Sequence, residues 1–180
     1  MIIQEELVES CKRGDPVAYT ILYNQHSKEV YNTIIRLVDH TAEAEDILQE
    51  SFVTAFEQID SFRNTGAFKA WVKRIAINKS IDRIRKRKIR FVELEPECIY
   101  KEDEKVDETT FDLTLEAVTA AIEALSQGAR TIFKLFAIEN IPHAEIAKML
   151  DMEHSAVRTQ YHRARQRILS ALYEGGFHEK

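Results

Sequence analysis

Residues 141–169 read IPHAEIAKMLDMEHSAVRTQYHRARQRIL. Ile146, Ala147 and Leu150 mark the apolar face of a short helix, Pro142 to Leu150. The segment Asp151-Met152-Glu153-His154 then interrupts the pattern, and Val157, Tyr161, Ala164, Ile168 and Leu172 resume it on a longer helix, Ser155 to Tyr173. At about 100° per residue these five positions fall within about 80° of one another. Thr159, His162, Arg163 and Gln166 lie opposite them, flanked by Arg158 and Arg165. A short helix, a tight turn and a longer helix with Arg and Thr outward form the helix-turn-helix pattern, whose second helix fits the DNA major groove. There Arg can bond two acceptors of guanine, and Thr or Gln can read base edges.

Upstream of it, Leu115, Val118, Ala121, Ile122 and Leu125 define one helix, and Ile132, Phe133, Leu135 and Phe136 another. The stretch VELEPECIYKEDEKVDETT before these is polar, contains Pro96 and lacks helical periodicity. It reads as an acidic linker, residues 92–109, separating a first domain, 1–91, from a second, 110–180. In the first domain Gly14 ends a short helix through Leu7, Val8 and Cys11. Asp15 then caps the next, with Pro16 at its first position. One or two helices reach about Asp39, and an acidic helix over 43–59 follows. A basic helix, 68 to about 90, completes this part. No convincing strand pattern appears, so the expected fold is all-α.

The 180 residues carry 25 basic and 30 acidic side chains, a net charge of −5. The distribution matters more. Residues 69–91 hold ten basic side chains and one acidic, whereas residues 92–116 hold two basic and ten acidic. A cationic block of this density calls for an anionic partner or extensive solvation. On the basic helix, Trp71, Arg74, Asn78 and Arg85 share a face roughly 60° wide, suited to stacking on a base, holding phosphates and reading a base edge. Phe68, Val72 and Ile75 form one apolar stripe there, and Ile77, Ile81 and Ile84 a second on the opposite side. On the acidic helix, Asp46, Gln49, Glu50, Val53 and Glu57 form an outward row. A docking face for a basic protein helix and plain solvation both fit that row.

Composition excludes several classes. With 44% apolar residues the chain can pack a core, and five Gly plus three Pro are too few turn formers for a many-stranded barrel. Cys11 and Cys98 give neither a disulfide framework nor a metal set, and His143 and His154 have no matching cysteines. Gly-rich phosphate loops, HExxH, GxSxG and paired CxxC are missing, so no catalytic residue, metal or cofactor is expected. No apolar run approaches 18 residues, and the first residues are acidic where a signal peptide would be basic. A soluble, cytoplasmic protein without membrane insertion is expected.

The stretch AEAEDILQESFVTAFEQIDSFRNTGAFKAWVKRIAINKSIDRIRKRK resembles the promoter-melting domain of extracytoplasmic function (group IV, sigma-70 family) sigma factors of bacterial RNA polymerase. Residues 141–169 resemble that family's C-terminal helix-turn-helix. The resemblance implies a transcription initiation factor that binds core polymerase and reads −35 and −10 promoter elements, assisting strand opening. It places Asp46, Gln49, Glu50 and Val53 against the clamp helices of the β′ subunit, with the β subunit also contacted. Arg63, Asn64, Phe68, Trp71, Arg74, Asn78, Lys79 and Arg83 fall at −10 recognition and melting, on single-stranded DNA. Arg158, Thr159, His162, Arg163 and Arg165 fall at the −35 duplex. A membrane-bound anti-sigma factor is a further implied partner.

Departures from the family pattern are Asp151 where Gly is common, Glu153 where a hydroxyl cap is common, and Pro142 in place of a Ser cap. Glu145 keeps the other half of that capping box, and Asp tolerates a left-handed turn. Two other readings remain open on the residues alone: a stand-alone helix-turn-helix regulator, and a sigma mimic that sequesters anti-sigma factors without touching DNA.

Overall fold

The computed structural model describes residues 4–63, 68–87 and 115–175. These are helical apart from turns, with no strand among them. The chain divides into two compact units, Met1–Lys88 and Ile89–Lys180. The 92–109 linker, Asn64, Lys88, Arg90 and Cys98 lie outside the described residues.

The first unit contains α1 (Gln4–Lys12), α2 (Pro16–Val38), α3 (Thr41–Glu57) and α4 (Phe68–Lys86), with a 3-10 turn at Ile59–Ser61. Gly14, at φ 83°, turns the chain between α1 and α2. The Asp15 carboxylate accepts from the Val17 amide at 2.9 Å, and Pro16 occupies the first turn, where no amide hydrogen is needed. The 16–38 stretch is one helix, and Asp39 closes it in the left-handed conformation, its amide bonded to Ile35.

Helices α2, α3 and α4 pack mutually, and α1 lies on α2. Leu22, Val30 and Ile34 of α2, Ala44, Ile47 and Phe52 of α3, and Val72, Ile81 and Ile84 of α4 are all buried. The two apolar stripes of α4 are joined by buried Ala76 and Ser80, so this helix meets both neighbours at once. Ser51 and Ser80 lie fully buried because each hydroxyl donates to the carbonyl four residues back, at 2.6 Å and 2.8 Å. Cys11 belongs to this core, and its thiol pKa is pushed up to about 11, first by burial and then by Asp15.

The second unit contains α5 (Leu115–Glu123), α6 (Gln127–Phe133), a π-helical turn at Lys134–Ile138, α7 (His143–Leu150) and α8 (His154–Gly175). Helices α5, α6 and α7 each pack on α8. Ala121, Leu125, Ala164 and Ile168 form one core cluster, with Ile122, Phe133 and Leu172 against it. Leu115, expected on the apolar face of α5, is 79% exposed because it starts the helix before the packed turns begin.

Candidate nucleic-acid interface

Asp151 makes the turn between α7 and α8. At φ 55° and ψ 50° it is left-handed, and the Met152 amide bonds back to the Ala147 carbonyl at 2.9 Å. Asp can occupy this region, so the expected glycine is dispensable here. Val157, Ala164 and Ile168 then seat α8 in the core. Consequently Arg158, Thr159, His162, Arg163 and Arg165 are exposed, and Gln166 is half-buried beside them. They span about 160° of the helix, wide enough to line a groove.

An aromatic cluster supports the start of this helix pair. The His143 ring stacks on Phe136 with centroids 3.9 Å apart, and Tyr161 lies 5.1 Å from His143. Burial, then the charges of His154 and Arg158, hold the His143 pKa below its ordinary value. His143 and His154 have ring centroids 6.4 Å apart, and among the described residues no three potential ligands gather to hold a metal.

In the first unit, Phe62, Phe68 and Trp71 contact one another with centroids 5.0–5.9 Å apart. Their places differ. Phe68 is fully buried among Phe56, Phe62, Trp71 and His26, so in the free chain its ring offers no accessible face for the expected stacking on a base. Trp71 is half-buried at the rim, Asn78 is exposed two turns further along the same face, and Arg63 is exposed just after the 3-10 turn. Arg74 is half-buried, and desolvation lowers its guanidinium pKa. Lys69 and Glu29 pair at 2.8 Å, joining the start of α4 to α2.

On α3, Asp46, Gln49, Glu50 and Glu57 are exposed, with Val53 55% exposed among them. Glu50 also pairs with Arg83 and Lys79 of α4. Local spacing carries no signal for that connection, because the partners are 29 and 33 residues apart in the sequence. It makes the acidic and basic surfaces neighbours.

Residues 22–89 match sigma-70 region 2, and residues 115–168 match sigma-70 region 4. The RNA polymerase sigma-H factor of Pseudomonas aeruginosa is 30% identical over 186 residues, covering 96% of each chain. The ECF RNA polymerase sigma factor SigW of Bacillus subtilis is 28% identical, covering 92% of this chain and 94% of the relative. The chain belongs to the extracytoplasmic function sigma factors of the sigma-70 family. Among solved structures, the sigma factor RpoE of Bartonella quintana, crystallised with the anti-sigma factor NepR, shares the fold. The two match at a TM-score of 0.53 and 21% identity, over 86% of this chain and 96% of that one.

This sigma factor directs RNA polymerase to promoters as a transcription initiation factor. Its region 2 match covers most of α2 and all of α3 and α4, and its region 4 match runs from α5 through most of α8. Among the described residues of the sigma factor, no helix is long and apolar enough to cross a membrane.

Proposed function

We propose that the two surfaces divide promoter recognition between them. The outward face of α8 reads the −35 duplex through Arg158, Thr159, His162, Arg163 and Arg165. The rim of α4 takes the opened −10 strand, with Trp71 stacking on a base, Asn78 bonding a base edge, and Arg63, Arg74, Lys79 and Arg83 toward phosphates. Phe68 supports Trp71 from beneath. Asp46, Gln49, Glu50 and Val53 dock α3 on the β′ clamp.

The observation that carries this reading is the exposure of Arg158 and Arg163 on a helix whose opposite side is buried. Each is held on a rigid element with its guanidinium facing solvent, the arrangement base readout requires. The factor acts in the cytoplasm without chemistry of its own, and an anti-sigma factor holds it inactive, as the Bartonella pairing suggests. Transcription by core polymerase on a library varied at the −35 and −10 positions tests the reading. Arg163→Ala is expected to relax selection at particular −35 base pairs, leaving −10 selection unchanged. Uniform loss at all positions refutes base readout by α8.

A further inference from the structure

Five side chains alternate in charge along the seam between α3 and α4: Lys79, Glu50, Arg83, Glu43 and Arg87. Lys79 Nζ lies 3.8 Å from Glu50 Oε2, and Arg83 Nη2 lies 3.3 Å from Glu50 Oε1. Arg83 Nη1 lies 4.0 Å from Glu43 Oε1, and the Arg87 guanidinium donates to the other Glu43 oxygen. The helices are antiparallel here, so the two acids, seven residues apart, interleave with cations spaced by four. Glu43 is recessed, its side chain 12% exposed, whereas that of Glu50 is 51% exposed.

We propose that Glu43 and Glu50 are internal counter-ions that compete with DNA phosphates for Lys79, Arg83 and Arg87, so that polymerase docking, by engaging Glu50, releases cations to the DNA. The proposal rests on the roles given above to α3 and α4. Its physical core is charge exchange. A cation held by a carboxylate neutralises phosphate less completely and so releases fewer of the counter-ions condensed on the nucleic acid, and a phosphate must break the existing pair before it gains anything. Glu50 is accessible enough to be drawn to a basic partner surface. Arg83 then keeps only the longer contact to Glu43, and Lys79 keeps neither acid. Arg87 stays on the recessed Glu43. Docking thus shifts the end of α4 from a balanced row to a cationic one without moving a helix.

The test measures binding of the free full-length chain to a labelled single-stranded oligonucleotide of mixed sequence, at several salt concentrations. Glu43→Gln keeps the shape and removes the charge. It is expected to bind about five-fold tighter, with the slope of log K against log salt steeper by about 0.7 per cation released. The gain should vanish when Arg83→Gln and Arg87→Gln are also present, as a coupled set requires. Glu50→Gln, at an exposed site where folding is not at stake, should give a gain of the same sign. Unchanged or weaker binding by both acid variants overturns the competition while leaving the role of α4 intact, provided the two Arg replacements weaken binding. If those replacements leave binding unchanged, the phosphate-facing role of α4 falls as well. A gain that survives in the Arg-depleted background also overturns the proposal.

Discussion

Phe68 separates a buried support from a base-stacking ring, and the two roles respond oppositely to a conservative change. The ring is fully buried, with Phe62, His26, Trp71 and Phe56 at centroid distances of 5.8, 5.7, 5.9 and 6.4 Å. Phe68→Ala removes the whole ring and leaves a cavity among four aromatic neighbours, at a cost of about 3–5 kcal/mol. For a unit of this size, each kcal/mol lowers Tm by about 4–8 °C, so the first unit should melt at least about 12 °C lower. Phe68→Leu keeps most of the volume and should cost about 1–2 kcal/mol. Thermal unfolding by circular dichroism reads the stability. Permanganate footprinting of the opened −10 strand at 20 °C below each variant's Tm reads the function. Phe68→Leu should open promoters nearly as well as the parent under those conditions, because Trp71 retains an apolar floor. A variant that folds within 2 kcal/mol of the parent yet fails to open DNA would refute the support role and restore Phe68 to the interface.

Arg158→Ala and Arg163→Ala should each cost about 1–3 kcal/mol in promoter affinity of the holoenzyme where they bond bases, measured by competition among −35 variants. Asn78→Ala should slow open-complex formation on duplex templates and be partly rescued on a template already unpaired across the −10 element. An equal defect on both templates would place Asn78 elsewhere. Asp46→Lys should abolish transcription while leaving the free chain's DNA affinity unchanged. Asp46 is the better probe of docking than Glu50, since Glu50 also holds Arg83 and Lys79. Because the His143 pKa is depressed in the folded unit, the unfolded chain takes up the proton first as pH falls below the ordinary 6.5. Stability of the second unit should therefore decline from pH 6.5 downward, and His143→Phe should flatten that decline in melting curves.

The helical architecture was legible because it rests on short-range rules. Asp15 before Pro16, Gly14 at a turn and the 3–4 spacing of Ile146, Leu150, Val157, Ala164 and Ile168 each act within a few residues. Exposure of Arg158 and Arg163 follows from the same periodicity. Long-range facts were not legible. The Phe68 ring sits at the end of an apolar stripe, a position that fits a rim and an interior equally well until α2 and α3 close over it. Glu43 reads as one more surface acid, and only antiparallel packing sets it between Arg83 and Arg87. The π-helical turn at Lys134–Ile138 likewise brings Phe136 onto His143, a stacking that no local spacing encodes.

The outward face of α8 has a consequence for how such factors diversify. Its side chains stand clear of the core, so exchanging Arg158, Thr159, His162 or Arg163 should cost the second unit within about 0.5 kcal/mol. The rim of α4 enjoys no such freedom, since Trp71 rests on Phe62 and Phe68, and Arg74 is half-buried. Under the roles proposed for the two surfaces, duplicated copies of this gene can therefore wander to new −35 sequences along nearly neutral mutational paths. Preference at −10, on the same proposal, is anchored to the folding of the domain itself and drifts only as fast as its interior can repack.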